Sequence, residues 1–185
     1  MRIEKTSLEG CYLIHDTFFG DDRGYFFESF NKNVFLEKTG LTIDFVQDNQ
    51  SSSQKGVLRG LHFQQGEFAQ AKLVRVLQGR VLDVVVDLRK ESATFGKHLA
   101  VELSDDRHTQ LFIPRGFAHG FLVLSDKAVF FYKCDRFYNK ASEGGIIFND
   151  PDLSIDWKLQ PDELLLSEKD RTLPTLKEVV QNFKF

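Results

Sequence analysis

Residues 56–64 read Gly-Val-Leu-Arg-Gly-Leu-His-Phe-Gln, and the rest of the chain can be arranged around them. The segment is short, flanked by glycine and rich in strand-forming residues, which predicts a β-strand. Successive side chains of a regular strand point to opposite faces, so Arg59 and His62 would lie on opposite sides. Gly60 lies between them and can supply a bulge that turns both toward one cavity.

Arg59 and His62 together suggest an anion-binding site with a base beside it. A guanidinium holds a phosphate through two parallel hydrogen bonds, and an imidazole takes up a proton near neutral pH. The alternative is a surface arginine next to a hydrogen-bonded histidine of the core.

The flanking sequence contains many short strand patterns separated by Gly, Pro, Asn and Asp. Residues 80–88 give the clearest strand pattern: from 81 to 88 the even-numbered positions form one apolar face, and the odd-numbered positions alternate valine with aspartate. Other strand patterns cover residues 11–15, 25–30, 72–77, 98–103 and 128–134, whereas residues 51–53 are expected to form a loop. Short helices are predicted over 31–37 and 175–183, the latter with a capping box of Thr175 and Glu178. This pattern predicts a mainly β sandwich or small barrel.

Length and composition set further limits. The 185 residues fit a single domain spanning 1–185, and 24 basic against 27 acidic residues give no surplus for binding nucleic acid or a membrane. Two cysteines without metal spacing form no disulfide framework. With no apolar run of membrane-spanning length and no signal-type segment, we expect a soluble cytoplasmic protein.

A second informative stretch, residues 112–121, contains the pattern Pro114-x-Gly116-x-x-His119. It resembles one of the two metal-binding motifs of the cupin superfamily. The other motif would require a second histidine after His62, where Gln64 stands, and the last ligand position would fall at Val123. Two imidazoles are fewer than the three or more protein ligands that a transition metal normally needs, so we predict no metal.

Across nearly its full length the chain resembles the dTDP-4-dehydrorhamnose 3,5-epimerase family. The matching segments follow the family's order, and together they are far more specific than any one of them. They are residues 22–26, 45–49, 56–62, 72–76, 83–89, 113–124, 132–134, 145–146, 150–151, 155–157 and 166–170.

The resemblance implies a double-stranded β-helix, or cupin barrel, that forms a homodimer and needs no metal or organic cofactor. It implies inversion at C3 and C5 of a dTDP-sugar, dTDP-4-dehydro-6-deoxy-D-glucose, to give dTDP-4-dehydro-L-rhamnose. This reaction belongs to dTDP-L-rhamnose biosynthesis, which supplies cell-surface polysaccharide. Both carbons adjoin the C4 carbonyl, so loss of a proton gives an enolate and reprotonation from the other face inverts the centre. The chemistry needs a base, an acid on the opposite face and a cation near O4.

Four residues match the family's catalytic positions. His62 matches the base, and Asp170 matches the carboxylate that orients it. Tyr132 matches the family's proton donor, and a phenol, with a reference pKa of about 10, is protonated at neutral pH. Lys72 matches the cation near the enolate oxygen, although a solvated lysine at the start of a strand would give the same pattern.

Other residues match substrate-binding positions. Arg59 and His119 match those that hold the diphosphate, and Tyr138 matches the aromatic residue that stacks on thymine. The remaining matches are Arg23, Glu28, Gln47, Asp48, Asn49, Glu143 and Lys169. In this family the N-terminal strands can cross to the other protomer's site, which Arg23 and Glu28 would then serve.

Several of these residues have simpler explanations. Arg23 could be a turn charge, Glu28 an edge-strand charge and Tyr138 a cap on the core. Asp83 is expected either to support an imidazole or to make a purely structural hydrogen bond.

Departures from the family are modest. Phe63 stands where tyrosine is more common, which removes a hydroxyl beside the site. Residues 66–68 replace a loop that usually contains proline, and Ala71 replaces a common glycine. Alternatives therefore include an epimerase that inverts one carbon of another nucleotide-linked 4-keto-deoxysugar, and a non-catalytic cupin that binds a sugar nucleotide. The missing ligands disfavour a metal-dependent oxygenase.

Overall fold

The structure is a computed structural model that describes residues 1–182 and is built mainly from antiparallel strands. The strands of the described chain are β1 (Arg2–Lys5), β2 (Tyr12–His15), β3 (Phe19–Asp21), β4 (Gly24–Phe26), β5 (Gln47–Gln54), β6 (Leu58–Gln64), β7 (Lys72–Gln78), β8 (Arg80–Asp87), β9 (His98–Ser104), β10 (Thr109–Ile113), β11 (Phe117–Val123), β12 (Lys127–Cys134) and β13 (Glu143–Gly145). The α-helices are α1 (Lys32–Thr39), α2 (Glu168–Arg171) and α3 (Leu176–Asn182).

The strands form two large sheets and a separate hairpin. One sheet has six strands in the order β1-β2-β10-β7-β12-β5, and the other has five in the order β13-β6-β11-β8-β9. Strands β3 and β4 pair only with each other. From β5 to β8 and from β9 to β13 consecutive strands alternate between the two large sheets, as in the double-stranded β-helix that the family resemblance predicted.

The inner faces of the two sheets pack against each other. Val74 and Phe130 of the six-stranded sheet share one buried cluster with Val85 and Phe117 of the five-stranded sheet. The outer face of the five-stranded sheet is covered by the C-terminal segment, including Trp157. Strand β8 is therefore buried on both faces, which explains why both carry apolar residues: Leu82, Val84 and Val86 on one, Val81 and Val85 on the other.

Both predicted helices begin where the local sequence indicated, and α1 ends at Thr39, two residues beyond the predicted end. Asn31 caps α1 by accepting hydrogen bonds from two backbone amides, and Gly40 ends it in the left-handed conformation. The capping box of Thr175 and Glu178 is present at the start of α3. The predicted end of this helix, Phe183, lies outside the described residues. No helix in the described chain is long and apolar enough to cross a membrane.

Two sequence predictions about strands are wrong. Residues 51–53 are not a loop, because β5 runs through them and pairs with β12 along its whole length. Tertiary pairing thus overrides the low strand propensity of three consecutive serines. The strand predicted over 25–30 ends at Phe26, since it pairs only with the three residues of β3. Glu28 consequently follows the strand and accepts a hydrogen bond from Asn31.

Strand β6 carries the irregularity predicted at Gly60. His62 is opposite His119 of β11, whereas Arg59 is opposite Phe121, so three steps along β6 span two along β11. Gly60 has a φ of 111°, and a Cβ atom there would lie 2.6 Å from the Cα of Gly120. Only glycine fits this contact. The bulge turns Arg59 and His62 toward the same cavity, which confirms the prediction.

Candidate active site

A cavity of about 670 Å³ opens between the two sheets. Strands β5, β7 and β12 of the six-stranded sheet form one wall, and β6 and β11 of the five-stranded sheet form the other. Residues 165–170 close one side. The cavity brings together eight of the predicted site residues: Asn49, Arg59, His62, Lys72, His119, Tyr132, Lys169 and Asp170.

His62 is paired with Asp170. Its Nε2 lies 2.5 Å from Asp170 Oδ1, and Ser167 caps the helix that carries the carboxylate. Burial opposes ionisation of Asp170, but the hydrogen bond and charge of His62 outweigh it and lower the pKa of the carboxyl. With the proton held on Nε2 by the carboxylate, the other ring nitrogen of His62 has a free lone pair and can act as a base.

A second histidine–carboxylate pair lies beside the first. His119 is the register partner of His62, and its Nε2 lies 2.9 Å from Asp83 Oδ2. Asp83 is fully buried, and its Oδ1 has no hydrogen-bond partner among the described residues. Of the two alternatives expected for Asp83, the structure shows the contact with an imidazole.

Tyr132 and Lys72 lie on the wall opposite His62. Tyr132 follows Phe130 on the inward face of β12, and burial raises the pKa of its phenol. Within residues 1–182 no hydrogen bond to its hydroxyl is formed, so the phenol is available to a ligand. The Lys72 ammonium lies 5.8 Å from the centre of the Tyr132 ring, and burial lowers its pKa. Among the described residues no carboxylate forms an ion pair with Lys72.

A chain of polar contacts links two cavity residues, Lys169 and Asn49, through three predicted residues that do not line the cavity: Glu143, Tyr138 and Gln47. Lys169 pairs with Glu143 at 2.6 Å, and the Tyr138 hydroxyl donates to the same carboxylate at 3.1 Å. Gln47 accepts a hydrogen bond from the Tyr138 amide and donates one to Asn49. Tyr138 is therefore fixed at its backbone while half of the residue stays exposed.

The structure does not bring every predicted residue into the cavity. The side chain of Asp48 lies on the opposite face of β5 from those of Gln47 and Asn49. It pairs with Lys133 on the outer surface. Arg23 lies on the β3–β4 hairpin, where it pairs with Asp21 and is 89 % exposed. Glu28 lies just beyond this hairpin, also outside the cavity lining.

The sequence analysis missed other lining residues. Ser51 lines the cavity from β5, and Ser53 on the same face is hydrogen bonded to Arg59. Their positions, two and four residues after Asn49, would have revealed them had the strand been predicted to continue. Phe121 and Phe130 also line the cavity and stack across the two sheets with ring centres 4.2 Å apart.

Phe63 and Gln64 are the two residues at which β6 departs from its expected motifs: phenylalanine replaces a more common tyrosine, and glutamine replaces a metal-binding histidine. The hydroxyl lost at Phe63 was expected beside the site, but Phe63 is buried in the cluster outside the five-stranded sheet. Gln64 accepts a hydrogen bond from the Asn139 amide at 2.8 Å. No group of three or more His, Cys, Asp or Glu side chains within residues 1–182 is arranged to hold a metal ion.

Comparison with known proteins agrees with this geometry. The sequence model of the family described as dTDP-4-dehydrorhamnose 3,5-epimerase matches residues 5–178. The chain belongs to the dTDP-4-dehydrorhamnose 3,5-epimerase family. The enzyme of that name from Escherichia coli K12 is 51 % identical over 181 residues, which cover 98 % of this chain and 97 % of the relative.

Solved structures of the dTDP-4-dehydrorhamnose 3,5-epimerase family share the fold. The crystal structure of the Elizabethkingia anophelis enzyme is 58 % identical, with a TM-score of 0.94 over 96 % of this chain and 97 % of the other. The Legionella pneumophila dTDP-6-deoxy-D-glucose-3,5-epimerase, in complex with dTDP-4-keto-L-rhamnose, is 48 % identical, with a TM-score of 0.91 over 95 % and 93 %. The predicted family, the cupin-like fold and the isomerase class are thereby confirmed.

Proposed function

We propose that the protein inverts C3 and C5 of dTDP-4-dehydro-6-deoxy-D-glucose to give dTDP-4-dehydro-L-rhamnose, using a single domain that spans residues 1–185. The observation that carries the proposal is the position of His62 and Tyr132 on opposite walls of one cavity. Inversion requires this arrangement, because a proton must leave one face of the sugar and return to the other.

In the first half of the reaction, His62 removes the proton from the carbon beside the C4 carbonyl. The electrons of the C–H bond move toward O4 and form an enolate. Asp170, held at 2.5 Å, stabilises the imidazolium that results. Lys72, which lines the cavity, is the cation proposed to stabilise the enolate oxygen, since no carboxylate of residues 1–182 forms an ion pair with it.

In the second half, Tyr132 donates its hydroxyl proton to the carbon from the opposite face. The phenol's raised pKa favours the protonated form that this role requires. Solvent then restores the proton to Tyr132 and removes one from His62. The sequence repeats at the second carbon. Only protons move and the product is an isomer, so the proposed reaction consumes no cofactor.

Arg59 and His119 are proposed to hold the diphosphate beside the reacting sugar. Both line the same cavity, and a guanidinium and an imidazole are suited to phosphate oxygens. Asn49, Lys169, Glu143 and Gln47 are proposed to bind or support the nucleotide and sugar. Tyr138, fixed at its amide and exposed at its ring, is proposed to stack on thymine.

The exposed β3–β4 hairpin supports a homodimer. Phe19, Tyr25 and Phe26 are each more than 60 % exposed, and they surround Arg23. Apolar side chains so exposed mark an interaction surface. We propose that this hairpin, with Arg23 and Glu28, reaches the cavity of a second copy.

The test is NMR of dTDP-4-dehydro-6-deoxy-D-glucose incubated with the protein in D2O. Deuterium at both C3 and C5, with L-lyxo product, is the expected result. Deuterium at one carbon would indicate a single-centre epimerase. No deuterium, although the nucleotide sugar binds tightly, would indicate a non-catalytic binding protein.

A further inference from the structure

The Arg59 guanidinium is tethered through one edge. Its Nε and Nη2 both donate to Ser53 Oγ, each at 3.2 Å. Ser53 is buried on β5 of the six-stranded sheet, whereas Arg59 lies on β6 of the five-stranded sheet. The contact therefore spans the two walls of the cavity.

The second edge of the guanidinium, formed by Nη1 and Nη2, remains open. Three of the five N–H donors of an arginine are left when two bind one serine oxygen. Among residues 1–182 Arg59 forms no other hydrogen bond and no ion pair. The open edge has the fork geometry that binds two oxygens of a phosphate.

The group that accepts these hydrogen bonds, the Ser53 hydroxyl, is uncharged, which distinguishes Arg59 from other arginines of the chain. Arg89 is held by Asp87, and Arg115 is held by Asp135. A carboxylate in place of Ser53 would fix the guanidinium equally well but would cancel its charge. A hydroxyl fixes the side chain and leaves the full positive charge for a ligand.

We propose that Ser53 is a positioning residue that orients Arg59 for the diphosphate of the substrate, an inference that rests on the function proposed above. Arg59 is exposed to the cavity, and a free arginine side chain loses substantial rotamer freedom when it binds. The Ser53 hydroxyl limits that freedom before the ligand arrives, so the ligand binds more tightly.

The experiment is calorimetric titration of the full-length protein with thymidine diphosphate. Ser53→Ala removes the acceptor of both hydrogen bonds from Arg59; it should raise Kd about five- to tenfold, and it should raise KM by more than it lowers kcat. Ser53→Cys keeps the volume and replaces the oxygen by a weak acceptor, so it should raise Kd as well. Ser52→Ala, on the outward face of the same strand, is the matched control and should leave Kd unchanged.

Arg59→Ala separates this inference from the proposed function. If Ser53 acts through Arg59, Ser53→Ala should have no further effect on Kd in the Arg59→Ala background. A Kd of Ser53→Ala equal to that of Ser52→Ala, or an undiminished effect without Arg59, would overturn the role of Ser53. If Arg59→Ala itself bound thymidine diphosphate as tightly as the unaltered protein, the proposed diphosphate site would be wrong.

Discussion

The His62 imidazole and the Asp170 carboxylate lie 2.5 Å apart although 108 residues separate them in the chain. Strand β6 supplies the imidazole, and the four-residue helix α2 supplies the carboxylate. Asp170 is only 4 % exposed, so solvent screens its charge little. The proposed base is therefore assembled by packing between distant segments rather than by a local motif.

Replacing His62 by alanine should lower kcat by about a thousandfold or more, because it removes a general base. Affinity for thymidine diphosphate should change less than about threefold, since Arg59 remains. Turnover measured by NMR and Kd measured by calorimetry give the two values. His15→Ala, a histidine outside the cavity lining, is the control. Full turnover by His62→Ala would refute the mechanism.

Tyr132→Phe should impair return of the proton more than its removal. The variant keeps the ring but loses the only proposed donor on that wall, while His62 and Asp170 remain paired. Deuterium uptake into recovered substrate should then fall less than formation of inverted product. The ratio of the two rates, followed by NMR in D2O, is the measurement. An equal fall in both would mean that Tyr132 is not the donor.

The fall of kcat at high pH, its alkaline limb, should be set by the loss of a proton from Lys72. Burial disfavours its charged form, so its pKa lies below the ordinary value, and the ammonium is lost as pH rises through that lower value. Burial raises the pKa of Tyr132, so its phenol keeps its proton to a higher pH than an ordinary tyrosine does. Lys72→Arg keeps the charge at high pH and should move the limb upward by about one pH unit or more. A limb at the same pH in both proteins would contradict this assignment.

Gly60→Ala should destabilise the fold and also displace Arg59 and His62, because the bulge at Gly60 turns both toward the cavity. The added Cβ would lie 2.6 Å from the Gly120 Cα, and the φ of 111° is unfavourable for alanine. We expect a loss of about 2–4 kcal/mol in the free energy of unfolding, measured with urea, and a lower kcat. Gly66→Ala also has a positive φ but has open space around its Cβ, so it should lose only about 1 kcal/mol.

The proposed exchange of hairpins can be tested by mixing two inactive variants, Arg23→Ala and His62→Ala. If Arg23 serves the second copy's cavity, a mixed dimer has one site with neither defect. Random mixing should then restore about a quarter of full activity. If each hairpin served its own cavity, every site in the mixture would be defective and no activity would return.

The sequence predicted elements that depend on local chemistry. The cap residues of α1 and the alternation in β8 are such cases, since a capping side chain or a doubly buried strand leaves its mark within a few residues. It failed where pairing with a distant strand decides the structure. Residues 51–53 have loop composition, yet β12 holds them in a strand.

In the candidate site, too, local features could be predicted from the sequence, whereas contacts between distant segments could not. The bulge at Gly60 could be predicted because Arg59 and His62 needed it to meet. The contact of His62 with Asp170 came only from family resemblance, since no pattern within the chain indicates which distant carboxylate packs beside an imidazole. The outward pairing of Asp48 with Lys133 was missed because residue identity alone does not reveal the face of a strand.

The two proposed proton-transferring side chains belong to different sheets, and the stacked rings of Phe121 and Phe130 join those sheets. The packing of this aromatic pair consequently sets the gap across which a carbon centre is inverted. Substitutions here that leave the melting temperature unchanged can still alter how faithfully one stereoisomer is made.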